Sequence, residues 1–144
     1  MLHFFRPLAF SLLAALSLSA SAQGSKQFVP ALVGFYNIEN LYDTIDSPDT
    51  DDHEFLPDGS KQWTGPRYWR KLDQNAKVIA AMGKDLHPNG LAILGLCEVE
   101  NRGVVEDLVH TTALKSRNYQ VVHEDSPDRR GVDVNRSHPS DGHI

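Results

Sequence analysis

Apolar positions fall along this chain in two rhythms, continuous runs and helical stripes, and the two alternate. Ala31–Tyr36 (ALVGFY) follows Pro30 as a short apolar and aromatic run suited to a buried strand. The next residues, ENLYD, are read as one added helical turn. Thr44 to Trp63 is rich in Asp, Pro, Ser and Gly and reads as a long solvated loop. Thr64 or Gly65 then caps a helix, and Pro66 suits its first position. Trp69, Leu72, Ala76 and Ile79 recur at spacings of three and four and predict an amphipathic helix over roughly Pro66 to Lys84, with Trp69 in the core. Arg67, Arg70, Lys71 and Lys77 lie off that stripe.

His87–Gly90 (HPNG) breaks the chain, and Leu91 to Cys97 is an apolar run read as a strand buried on both faces. Asn101 is placed to cap a second helix, whose stripe is Val105, Leu108, Val109 and Thr112 and which ends near Leu114. Asn118 to Glu124 reads as a third strand, DSPDRRG as a loop, and Gly131 to Val134 as the start of a fourth strand. Residues 135–144 offer that strand no apolar continuation and read as an atypical tail. The order of strands and helices predicts a layered α/β (α+β) fold.

The N-terminus changes the picture of where the chain works. Residues 1–22 carry Arg6, an apolar stretch from Leu8 to Leu18, and Ala20-Ser21-Ala22 before Gln23. This is the pattern of a cleaved signal peptide, and the apolar stretch is short of the ~20 residues a membrane span needs. The expected location is secreted or periplasmic, with residues 23–144 as the working domain and no transmembrane anchor left. Losing Arg6 takes Lys plus Arg from 14 to 13 against 19 Asp plus Glu, so the formal charge moves from −5 to −6. That excludes polyanion binding over the whole surface, but not a local site where a cation bridges carboxylate and phosphate. The single cysteine, Cys97, rules out an internal disulfide and reads as a small buried hydrophobe. The histidines show no paired zinc spacing.

Two residues are candidates for chemistry. Asn37 and Glu98 each end a strand-like run, each ahead of a helix start, and ligands of α/β proteins collect beyond the carboxyl ends of strands. Were the two strands parallel neighbours, an amide oxygen and a carboxylate would meet at one rim as hard donors for Mg²⁺, or Mn²⁺ or Ca²⁺. The plainer reading makes Asn37 and Asn101 helix caps and Glu98 a solvated strand end.

FYNIENLYD, ILGLCEVENR and DSPDRRGVDV, in that order, resemble successive motifs of the endonuclease/exonuclease/phosphatase superfamily of DNase I-like proteins, over roughly Leu32 to Val134. The resemblance implies a two-sheet sandwich flanked by helices, with the site at one end. It implies an exported metal-dependent phosphodiester hydrolase, foremost an endonuclease, acting on nucleic acid or another phosphodiester. It puts Asn37 at the family's active-site Asn and Glu98 at its metal-binding Glu, and it brings the segment of Arg129, Arg130 and Asp133 near the site without assigning them a role; two arginines before a glycine are suited to hold phosphate, or equally to lie in an exposed loop. Cys97 stands where many relatives have Gln. The family's later Asp-x-Asn and terminal Asp-His motifs have no counterpart here; Ser140–His143 (SDGH) echoes the last only faintly. Residues 23–144 therefore read as an incomplete, N-terminal part of such a domain, inactive alone. The alternatives are a non-catalytic fragment that binds phosphate or a partner, and a phosphatase or lipid phosphodiesterase of the same superfamily.

Overall fold

In the computed structural model the described residues are 28, 30–47, 50–124 and, as backbone, 133–139. The leader at 1–22 and the arginines 129 and 130 lie outside them. Four strands and two helices follow the order β1 (Val33–Leu41), α1 (Gly65–Ala81), β2 (Ile93–Val99), α2 (Arg102–Val109), β3 (Tyr119–Val122), β4 (Asp133–Pro139). They make one open sheet in the order β1-β2-β4-β3. β1 and β2 are parallel, as the helix between them requires, while β4 runs antiparallel to both β2 and β3.

The core lies between one face of the sheet and the helices. Leu72, Ala76 and Ile79 of α1, Leu94, Leu96 and Val99 of β2, and Val104, Val105 and Leu108 of α2 are almost wholly buried together. Burial of each larger side chain is worth roughly 1.5–3 kcal/mol. α1 opens with Pro66 near its N-terminus and Thr64 as cap residue in extended conformation. At α2 the cap is Asn101, whose Oδ1 accepts from Val104 N–H at 3.1 Å.

The opposite face is open: Phe35 is 77% exposed and Val33 and Val122 are also exposed. Phe35 lies across Gly95 of the neighbouring strand, where an added Cβ would sit 2.3 Å from the ring. The strand over 93–99 is thus less covered than expected, with Ile93 and Cys97 half-buried on that face. The mixed α/β fold stands as expected; the described residues contain one sheet.

Four expectations are corrected. ENLYD does not start a helix, because β1 runs through to Leu41. Trp69 is 54% exposed, and Tyr68 takes its place in the core, where its hydroxyl donates to Asp107 Oδ2 at 2.7 Å. That bond satisfies the phenol, so the ring can be buried one position earlier than the apolar stripe suggests. The tail does not break the strand: β4 continues through residues 135–139 and pairs on both sides, with Leu94↔Ser137 and Val121↔Ser137 in register. A strand hydrogen-bonded to two neighbours does not depend on apolar alternation to be recognised by the sheet. Finally, the acidic loop is not all solvated, since Asp52 is 2% exposed.

Candidate active site at the ends of β1 and β2

Both parallel strands change parity at the same level. In β1, Tyr36 and Ile38 face the core while Phe35 and Asn37 face out. Strict alternation would leave Leu41 outside. Instead Glu39 and Asn40 adopt left-handed backbone, φ 60° and 62°, and Leu41 is fully buried. In β2, Leu94 and Leu96 face the core, so Glu98 would follow them inward. Glu98 takes φ 61°, its side chain remains half-exposed, and Val99 is buried in its place, opposite Leu41. Left-handed conformation at non-glycine residues costs of order 1–3 kcal/mol each, and such strain gathers at functional sites.

The bend at Glu98 brings its carboxylate to the out-facing Asn37. Asn37 stands opposite Cys97 in the ladder, and its Nδ2 donates to Glu98 Oε1 at 2.9 Å. Its Oδ1 accepts from Glu39 N–H at 2.7 Å. The amide orientation follows from its neighbours, a carboxylate on one side and an N–H on the other. Asn37 thus serves as the group that holds Glu98, with its own oxygen already accepting one hydrogen bond. One half-exposed carboxylate at a solvent-facing rim fits Mg²⁺ or a similar hard ion, which takes few protein carboxylates and fills its shell with water and phosphate. β4 begins at Asp133, opposite Val99, at the same end of the sheet.

Beside the pair lies a cleft of about 490 Å³ whose walls include Asn37, Glu39, Trp63, Arg67, Arg70 and Lys71. Lys71 Nζ donates to the carbonyls of Glu39 at 2.5 Å and Asn40 at 3.2 Å, so it clamps the strained end of β1. Desolvation pulls its ammonium below the usual lysine range, against the opposing pull of Glu39 and Glu98. No histidine is among the cleft's lining residues.

On the other side of the strand ends the loop folds over Glu100. This carboxylate is 6% exposed and accepts from Asp43 N–H at 2.7 Å and Ser47 Oγ at 3.1 Å. Burial pushes its pKa up to about 7, with the carboxylates of Asp43 and Asp52 adding to the rise and its hydrogen bonds opposing it. Ser47 N–H also donates to Asp52 Oδ2 at 3.1 Å, while Asp52 Oδ1 has no partner among the described residues. Asp46, Asp52 and His53 offer ligand atoms within 4.8 Å of one another, a second group able to hold a cation.

Sequence reasoning missed Glu100 and the basic cleft. The spacing of Arg67, Arg70, Lys71 and Gln74 along one helical face was the available clue. The family model described as Endonuclease/Exonuclease/phosphatase family matches residues 32–141. The chain belongs to that family. Endonuclease/exonuclease/phosphatase proteins are phosphoester hydrolases, and the match covers both strand ends that carry Asn37 and Glu98. Neither the curated proteins nor the solved structures contain a match to the chain. No helix among the described residues is long and apolar enough to cross a membrane.

Proposed function

We propose that this endonuclease/exonuclease/phosphatase chain is an exported, divalent-metal-dependent phosphodiester hydrolase that acts as an endonuclease on nucleic acid. The observation that carries the reading is the Asn37–Glu98 pair on two parallel strands, where a left-handed bend at Glu98 keeps its carboxylate at the rim beside the out-facing Asn37. The leader pattern at 1–22 supports export. When bound, a divalent ion such as Mg²⁺ supplies positive charge to a phosphoryl oxygen and to the attacking water's field. Glu98 would hold that ion. Asn37 fixes the Glu98 carboxylate through Nδ2 and, by its own turn to Glu39, keeps the amide from rotating. Lys71 locks the β1 end on which Asn37 sits. Arg129 and Arg130, next to the start of β4 in sequence, would add phosphate contacts.

A second reading is phosphate binding without turnover, favoured by the cation-lined cleft beside the pair, which suits an anion without needing a base. General-base help is worth about 10²–10⁴ in rate. One experiment separates the two. Mn²⁺ uptake is followed by paramagnetic resonance in an Asp46→Asn background, which removes a donor of the other cation group, with hydrolysis of plasmid DNA and bis(p-nitrophenyl) phosphate measured in parallel. The proposal expects Mn²⁺ uptake that Glu98→Gln abolishes, and metal-dependent cleavage that it abolishes too. Uptake without cleavage supports the second reading. Uptake or cleavage undiminished in Glu98→Gln overturns the assignment of Glu98.

A further inference from the structure

We propose that the cleft between α1 and the end of β1 is a separate anion site, which holds a phosphate of the ligand other than the one presented to Glu98. The inference rests on the phosphoester reading above and extends it: the substrate carries more than one phosphate.

Three cations, Arg67, Arg70 and Lys71, line this cleft against one carboxylate, Glu39. Arg70 and Lys71 sit three and four residues after Arg67, so they crowd one side of α1, where like charges work against the helix. Their charges are also left available. Lys71 and Arg67 donate to backbone carbonyls, Arg67 through Nη1 to Lys61 and Gln62, and lie over the Trp63 ring at 5.5 and 5.6 Å, with no ion pair to a carboxylate among the described residues. Arg70 makes no hydrogen bond or ion pair among the described residues. The first turn of α1 contains no acidic residue, so the positive end of the helix adds to the same field.

An independent feature points to a ligand. Asn75 is 9% exposed and lines the cleft, and its Nδ2 has no partner among the described residues. Its Oδ1 is already occupied by the Tyr36 hydroxyl at 3.4 Å, which leaves the amide nitrogen as a donor in search of an acceptor. Guanidinium forks and a buried amide donor suit the oxygens of a phosphate. Glu98 is not among the walls, whereas Asn37 is. Asn37 thus partitions two sites, one for a metal and the phosphate undergoing attack, the other for a neighbouring phosphate. Both a polynucleotide and a small bisphosphate have that chemistry.

The test is binding in EDTA, read by Trp63 fluorescence in a Trp69→Phe background, because Trp63 lines the cleft. Probes are deca-thymidylate and adenosine 3′,5′-bisphosphate. Arg70→Glu is expected to weaken binding by about tenfold or more, from loss of a charge-assisted contact, and to flatten the salt dependence by about one unit. Lys84→Glu, exposed beyond the far end of α1, is expected to leave binding within about twofold, screened by distance. Binding of deca-thymidylate alone assigns the site to a polymer, and binding of the bisphosphate as well assigns it to any second phosphate. No binding of either probe, or equal weakening by Arg70→Glu and Lys84→Glu, overturns the proposal. Glu98→Gln keeps the two readings apart. Arg70-sensitive binding without any cleavage sinks only the hydrolase reading, and Glu98-dependent cleavage without Arg70-sensitive binding sinks only this one.

Discussion

Glu98 and Glu100 are separated by one residue, yet they meet opposite environments. Glu98 is half-exposed, held by the Asn37 amide and near enough to Lys71 to act on its charge. Glu100 is buried, accepts two hydrogen bonds from the loop and faces other carboxylates. The left-handed residue at 98 makes the division, since it turns one carboxylate to the rim and passes Val99 into the core. The lesson is that position along a strand does not set a carboxylate's role; its neighbours' charge and access to water do. One side of the strand ends is arranged to meet an anion with a cation, the other to pin a loop.

The strongest way to break this contrast is to exchange the two losses. Glu98→Gln is expected to lower Mn²⁺ affinity by more than about a hundredfold, beyond the ~10–100-fold typical of removing a supporting partner, while Glu100→Gln leaves it unchanged. Calorimetric titration checks this, and equal losses would erase the distinction. Next, Asn37→Ala should reduce the same affinity by about 10–100-fold, because the carboxylate loses its orientation rather than its charge.

A third measurement sharpens the other side. The Glu100 carboxyl titrates near 7 in the fold against 4.5 as the reference, so the folded chain keeps a proton that the unfolded chain has released between those values. Its contribution to stability is full below about 4.5 and is lost as pH rises through about 7. Denaturant melts at pH 5 and pH 8 should therefore show wild type weaker at pH 8. Glu100→Gln should flatten that dependence and gain on the order of 2 kcal/mol at pH 8. A steeper loss above pH 7 in the variant would contradict the assignment. At the small end, Asp73→Ala removes the exposed pair with Lys77, 2.6 Å in length, and should change stability by no more than about 0.5 kcal/mol.

Much of the frame was legible because period and burial agree. The runs ending in Asn37 and Glu98 are strands, they are parallel neighbours, and the two side chains meet. The helices fall where the stripes put them, with ends shifted by a few residues. What was not legible depended on long-range contacts. Tyr68 displaced Trp69 because Asp107, far along the chain, satisfies its hydroxyl. The continuation of β4 past Val134 was hidden because its pairing is made by backbone on both sides, whereas a sequence shows only the polar residues Asn135 to Pro139. Glu100 and Asp52 look like solvated acids until the loop closes on them. Arg67, Arg70 and Lys71 look like an ordinary wet helix face until Trp63 and the end of β1 wall them in.

The backbone turn at 98 has an evolutionary corollary. Glycine would relax there at no steric penalty, so a mutational walk guided by thermal robustness alone should drift to Glu98→Gly and shed the carboxylate on the way. Persistence of an acidic side chain at that bend would then record selection for chemistry in the face of an easier conformational alternative.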